Sequence, residues 1–133
     1  MVLGATINQL PFILAAKKQG LYSISVDNVP ENICHQYSDE QLNCSTTDRE
    51  AVLSVVLDRQ IDGVVTCASD LALPSAAYVC EKAGLCTVST TAVAQTVDKI
   101  VFRALQKKHH LRAPRYYTCA SVDQAVRKIQ TLT

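Results

Sequence analysis

With 133 residues, 48% of them apolar and 19% charged, the chain holds enough hydrophobic material for one packed domain, which excludes a disordered tail. Thirteen Lys and Arg against twelve Asp and Glu leave a formal charge of +1 at pH 7, so no global field directs it to nucleic acid or to an anionic membrane. No apolar run approaches the roughly 20 residues that a membrane-crossing helix needs.

In chain order, Val2-Leu3 reads as a short first strand running into the turn Gly4-Ala5-Thr6-Ile7-Asn8-Gln9. Leu10, Ile13, Leu14 and Lys17 recur at helical spacing and predict a helix over about 8–19. Pro11 is tolerated in its first turn, and Gly20 supplies a left-handed stop. Residues 22–26 alternate and end at Asp27, a strand with a polar residue at its carboxyl end. Residues 28–36 are expected to form a loop with about one helical turn, and residues 40–44 a short strand. Thr47 and Glu50 have capping-box spacing. They open a helix to about Arg59 with Val52, Leu53, Val56 and Leu57 on its buried side. Residues 61–67 contain the clearest buried strand. Ser69-Asp70 then caps a helix to Gly84, with Pro74 near its start and Ala76, Ala77, Val79 and Cys80 within it, and residues 86–88 are a fifth short strand.

After residue 89 the pattern changes. Residues 90–96 read as a short helix, and Asp98 caps a basic helix from Lys99 to about His110. Residues 115–118 read as a strand. Ser121 and Gln124 form a second capping box, for a helix carrying Val122, Ala125, Val126, Ile129 and Leu132 on one face. The His109-His110 pair reads as a solvated helix end, and Tyr116-Tyr117 as packing.

Strands alternating with helices through about residue 89 call for a parallel sheet covered on both faces, an open doubly wound α/β fold. The expected organisation is a three-layer Rossmann-like domain over residues 1–97 and a second region over 98–133. The opening Met1-Val2-Leu3-Gly4 has neither a basic leader nor a cleavable apolar segment, so the expected compartment is the cytoplasm. The six cysteines contain no C-x-x-C pair, and only Cys34-His35 sets two candidate metal ligands side by side. They are expected to be reduced and mostly buried small apolar residues.

In doubly wound folds, ligands sit outside the carboxyl ends of the strands. Those ends hold Gly4 to Gln9, Asp27, and Thr66 to Asp70. A dinucleotide fingerprint wants three glycines in the first turn; here Thr6 and Gln9 occupy the second and third positions. Asp27 stands near the spacing of a ribose-binding acid and equally reads as a cap for the following turn. Asn8 and Gln9 head a helix whose first N–H groups favour an anion, a carboxylate or phosphate on a small substrate; Asn8 equally reads as the helix cap. Ser69 and Asp70 divide between cap and substrate pocket. A phosphoacceptor receiver is excluded, because the first strand lacks the acidic pair such a domain needs for magnesium.

These residues carry a family resemblance. The run Gly4-Ala5-Thr6-Ile7-Asn8-Gln9-Leu10-Pro11 resembles the first turn of the pre-ATP-grasp domain of ATP-grasp carboxylate–amine ligases. So do Ile24-Ser25-Val26-Asp27, Ile61-Asp62-Gly63-Val64-Val65-Thr66, Ser69-Asp70 and Ala76-Ala77-Tyr78-Val79. Thr96-Val97-Asp98-Lys99, followed by Phe102 and Leu105, is similar to the family's junction into the ATP-grasp fold. Relatives include carbamoyl-phosphate synthetase-like proteins, biotin carboxylase and the purine-pathway carboxylases. The resemblance spans essentially the whole chain and rests on the order and spacing of these motifs together.

The resemblance implies a pre-ATP-grasp domain over 1–97 and the start of an ATP-grasp subdomain over 98–133. It implies a small carboxylic acid as substrate, bound by Gly4, Thr6, Asn8, Gln9, Asp27, Ser69 and Asp70. The acid becomes an acylphosphate that an amine or similar nucleophile displaces, chemistry that depends on positioning and charge neutralisation. ATP and Mg2+ serve the parent enzyme, and Lys99 matches the basic residue that contacts ATP phosphates. The family's later lysine-bearing strand, glycine-rich loop and acidic magnesium ligands have no counterpart here. The chain is therefore expected to be an N-terminal piece of a larger ligase, with no catalytic residue or metal site of its own and no tightly bound cofactor. It is expected to be inactive without the rest of the ATP-grasp domain, from the same chain or a companion. The stripe of Val126, Ile129 and Leu132 is expected to dock on the main domain or on a second copy. Two other readings remain open: an NAD(P)-binding module using Gly4, Thr6 and Asp27, and a non-catalytic interaction domain of the same fold.

Overall fold

The structure, a computed structural model, describes residues 1–130, which divide into two units, Met1–Ala94 and a second from Gln95 onward. In the first unit, β1 (Val2–Leu3), β2 (Ile24–Asp27) and β3 (Glu40–Asn43) form a parallel sheet in that order. Val2 lies opposite Ser25, and Ile24 opposite Glu40. On the other side of β1, Val65 joins through one parallel bridge to Val2, with Leu3 N donating to Val65 O at 2.9 Å and Val65 N to Met1 O at 3.0 Å.

Here the expected strands need correction. Residues 61–67 yield only that bridge, and neither 86–88 nor 115–118 forms a strand. Strand structure needs a partner's ladder. Val64 to Thr66 find β1 on one side alone, and residues 86–88 do not extend the sheet, so apolar β-branched runs remain extended segments.

The helices connect and cover the sheet. α1 (Leu10–Lys18) follows β1, α2 (Arg49–Asp58) follows β3, and α3 (Leu73–Ala83) follows Val65. Alternation along β1 places Leu3 in one core cluster, with Val26, Val52, Val56, Val64, Ala76, Val79 and Cys80. Its neighbour Val2 packs in another, with Ala5, Ile13 and Cys34. Burial of Val52 and Val56, each at most 2% exposed, stabilises by about 1.5–3 kcal/mol per side chain. The inward faces are narrower than the sequence pattern implied, because Leu14 (47%) and Leu57 (55%) stay exposed.

Several caps also differ from expectation. α1 does not begin at Asn8; a 3-10 turn over Ile7–Gln9, capped by Thr6, precedes Leu10. α2 is capped by Asp48, whose Oδ1 accepts from Ala51 N at 3.1 Å. Thr47 pairs its hydroxyl with Ser45, and Glu50 accepts from Tyr78 Oη at 2.8 Å, tying α2 to α3. α3 starts at Leu73, after a turn in which Ser69 Oγ accepts from Ala72 N, and Gly84 at φ +69° stops it. The expected helical turn in 28–36 is present as a 3-10 turn over Ile33–Gln36.

Asp39 clamps the start of β2. Its Oδ2 accepts from Ser23 Oγ (2.7 Å) and Ser23 N (2.8 Å), and Lys17 Nζ stands 3.7 Å from Oδ1. The Ser23 hydroxyl, then its N–H, and then the Lys17 charge hold the carboxyl below the usual aspartate range. A lowered folded-state pKa contributes stability that is complete above the unfolded-state value and disappears as pH falls through the folded-state value. Stability of Asp39→Asn should therefore fall less than that of the parent when pH is lowered from the ordinary aspartate value downward. Denaturant midpoints across that acid range measure it; parallel curves would remove Asp39 as a cause.

The helix α4 (Thr90–Val97) spans the boundary between the units. Glu81 accepts from Thr90 N (2.7 Å) at its start. In the second unit, Asp98 caps α5 (Lys99–Lys108), accepting from Ile100 N and Val101 N, and Ser121 caps α6 (Val122–Ile129) by accepting from Gln124 N at 3.2 Å. Gln124 reaches back to Ala120 N (2.8 Å), one residue short of the capping-box expectation. Val126 (57%) and Ile129 (64%) of the expected docking stripe are exposed, and Leu132 lies outside the described residues. No helix among the described residues is long and apolar enough to cross a membrane.

Candidate functional site

The candidate site is the first turn, residues 4–9, at the carboxyl end of β1. Gly4 starts it at φ +99°, a conformation that side chains oppose, and a Cβ there would stand 3.0 Å from Gln9 Cδ. Gly4 N donates to Val26 O at 2.8 Å, which fixes the exit from β1. Thr6 then caps the helical run, while Thr6, Ile7 and Asn8 are exposed and Gly4, Ala5 and Gln9 are buried.

Gln9 is the central brace. Its Oε1 accepts from Thr6 N (3.0 Å) and Thr6 Oγ1 (2.7 Å), and its Nε2 donates to Cys67 O (2.6 Å). A buried amide thus uses both ends to tie the turn to the segment after Val65. At the third glycine position of a dinucleotide fingerprint, where a glycine would allow close helix–strand packing, this long polar side chain ties the turn instead.

Asp27 is the second brace. Its Oδ2 accepts from Ala5 N at 2.9 Å and its Oδ1 from Val29 N at 3.0 Å. The carboxylate therefore caps the turn after β2, one of its two expected roles, and also anchors the first turn. With one backbone N–H on each oxygen, it is engaged in holding the fold.

Residues far away in sequence complete the frame. Cys34 N donates to Ala5 O (2.9 Å) and Cys34 Sγ to Thr6 O (2.7 Å), while Cys67 Sγ reaches Asn8 O (3.3 Å) and Thr66 Oγ1 donates to Leu3 O (2.8 Å). Burial first, then the Cys67 thiol, pushes the Cys34 thiol upward from its ordinary value, so it stays a neutral donor. All six cysteines are free thiols, but only Cys34 and Cys80 are buried, against the expectation that most would be.

The structure brings Gly4, Thr6, Gln9 and Asp27 together around one turn. Asn8 is exposed on its outer side and does not cap the helix, since Thr6 does. Ser69, committed to the turn before α3, and Asp70 follow Cys67 closely in sequence. Lys99 is the first residue of α5, in the second unit. Sequence reasoning set Ala5, Thr66 and Cys67 at the strand ends without giving them a role, and it missed Cys34. The one signal for Thr66 and Cys67 was their position at the end of an apolar run pointing to the same sheet end.

A rigid turn at strand carboxyl ends, with buried polar bracing and a polar rim, is the ligand-site geometry of open parallel α/β domains. No protein-family profile and no curated protein matches the sequence. Solved structures do. Phosphoribosylglycinamide synthetase from Anaerococcus prevotii is 25% identical, with a TM-score of 0.77 over 99% of this chain and 34% of that chain. L-amino acid ligase from Bacillus licheniformis is 21% identical, with a TM-score of 0.69 over 92% and 33%. N5-carboxyaminoimidazole synthetase from Staphylococcus aureus, solved with ADP, is 16% identical, with a TM-score of 0.74 over 98% and 34%. The chain spans about a third of the length of the solved structures it matches. It has the fold of the N-terminal domain of the ATP-grasp ligases.

Proposed function

We propose that this chain is the substrate-binding front of an ATP-grasp ligase that activates a carboxylate as an acylphosphate for attack by an amine or similar nucleophile. The observation that carries the proposal is the braced first turn. Gln9, Asp27, Cys34 and Cys67 hold the backbone of residues 5–8 in place, leaving Thr6, Ile7 and Asn8 facing outward at the start of a helical run. Such a start favours an anion. The acid is held against Thr6 and Asn8, with Ser69 and Asp70 beside it, while Gly4, Gln9 and Asp27 keep the turn in shape. Nucleotide use in the parent enzyme draws on the ADP held by the Staphylococcus aureus synthetase.

ATP supplies the phosphoryl group when bound, and Lys99 is the residue of this chain that would neutralise its phosphates. Mg2+, like ATP, belongs to the proposed parent enzyme. The remaining ATP-grasp parts come from the same chain or a companion, and the proposed compartment is the cytoplasm.

The test uses Asn8→Ala, an exposed change expected to alter stability by less than about 0.5 kcal/mol. Titration of 15N-labelled protein with acetate and glycine should shift the amides of Ile7 and Asn8 saturably, and the variant should bind at least about tenfold more weakly, equivalent to about 1.4 kcal/mol. Equal binding by both proteins removes Asn8 from the site. Saturable shifts with NAD and none with the acids would favour the dinucleotide reading.

A further inference from the structure

A cavity of about 820 Å³ lies at the opposite end of the strands from the first turn, within the first unit. Phe12, Ala15 and Ala16 of α1 form one wall, and Ile24, Ile61 and Val65 line the other side. Its volume falls within the range of small-molecule sites, roughly 300–1,000 Å³, and its apolar walls supply the burial such ligands require. Phe12 and Val65 are each 42% exposed, so both present apolar surface to the opening.

The charges around the cavity cancel. Arg59 is ion-paired with Glu40, and the Met1 amino group, donating to Gly63 O at 2.8 Å, feels the opposite charge of Asp62. A charged ligand entering here would lose hydration without gaining a free counter-ion, whereas an uncharged apolar one loses little. Cavity size, apolar walls and balanced charge point to the same occupant.

We propose that this cavity is a second binding site, separate from the first turn, for an uncharged, predominantly apolar small molecule. The ring body lies between α1 and Val65, and any hydroxyl faces the polar rim at Gln60. This site stands independently of the ligase reading, because none of its residues belongs to the first turn.

The test compares three probes sharing one ring system: neutral 2-naphthol, anionic 2-naphthoate and cationic 2-naphthylmethylamine, titrated into 15N-labelled protein. 2-Naphthol should shift the amides of Ala16, Ile24, Ile61 and Val65 saturably, and the two charged probes should bind at least about tenfold more weakly, a difference of about 1.4 kcal/mol. Ala16→Trp fills the cavity and should abolish binding. Phe12→Ala, at a position 42% exposed, should weaken binding several-fold, and melting curves establish that each variant is folded. The proposal is overturned by absence of saturable shifts, by charged probes binding as tightly as 2-naphthol, or by undiminished affinity in both folded variants. It is also overturned if the same amides shift with protein concentration alone while the sedimenting mass doubles, since a second copy then occupies the groove.

Discussion

Asp27→Ala should lower stability by about 3 kcal/mol, because two charge-assisted hydrogen bonds are lost together and each contributes about 1.5–3 kcal/mol. Both partners are backbone N–H groups, Ala5 N at 2.9 Å and Val29 N at 3.0 Å, and the carboxylate is only 8% exposed. For a unit of this size the melting midpoint should drop by about 10–20 °C. Asp27→Asn should recover only part of the loss, since its amide keeps one acceptor oxygen and turns an NH2 toward the other N–H donor. Amide exchange at Ala5 and Val29 should accelerate more than exchange in α3, which shares no hydrogen bond with Asp27. A stability change below about 0.5 kcal/mol would mean that water replaces the carboxylate without cost, and the brace would lose its meaning.

Gln9→Leu should cost about 2–3 kcal/mol while keeping the side chain's approximate volume, so the loss reads hydrogen bonding rather than a cavity. Three groups lose their partner: Thr6 N, Thr6 Oγ1 and Cys67 O. Thr6 is exposed and its groups can turn to water, which leaves Cys67 O as the main uncompensated one. Gln9→Glu should be nearly as costly, because a carboxylate presents an acceptor to the Cys67 carbonyl 2.6 Å away. Acid binding at Thr6 and Asn8 should fall in Gln9→Leu even at temperatures where the protein remains folded, because the turn loses its tie to the segment after Val65. Combined with Asp27→Ala the losses should not add, with a coupling on the order of 1 kcal/mol, since both side chains hold the same four residues. Strict additivity in denaturant midpoints would show that the turn is not one unit.

Much of the site was legible in the residues themselves. Gly4 at a strand end, Asn8 and Gln9 at a helix start and Asp27 closing the second strand all marked the carboxyl edge of a parallel sheet. What each does there was not legible. Gln9 is a buried tie and Asn8 an exposed rim residue, yet they are neighbours in sequence and of the same chemical type. Only the approach of Cys67, 58 residues away from Gln9, separates the two roles. The cysteines are a parallel case: small and mostly apolar in composition terms, Cys34 and Cys67 spend their thiols on carbonyls of the first turn.

What the residues determined alone was the local structure. Asp98 and Ser121 cap α5 and α6 because a side-chain oxygen meets N–H groups two or three residues on, and Gly84 stops α3 because its backbone can take φ +69°. The parallel α/β class followed from the alternation of apolar runs and capped helices. Tertiary structure decided the rest. Residues 61–67 and 86–88 have strand-like composition, but a strand exists only where another backbone offers its ladder, and there Val65 alone found one, at Val2. The first turn owes its shape to contacts spanning 22 to 59 residues of chain, from Asp27 to Ala5 and from Cys67 to Asn8. Hydrogen-bond partners brought together by chain folding leave no periodicity to read, which is why local order and the site's place were visible in the amino-acid string and its bracing was not.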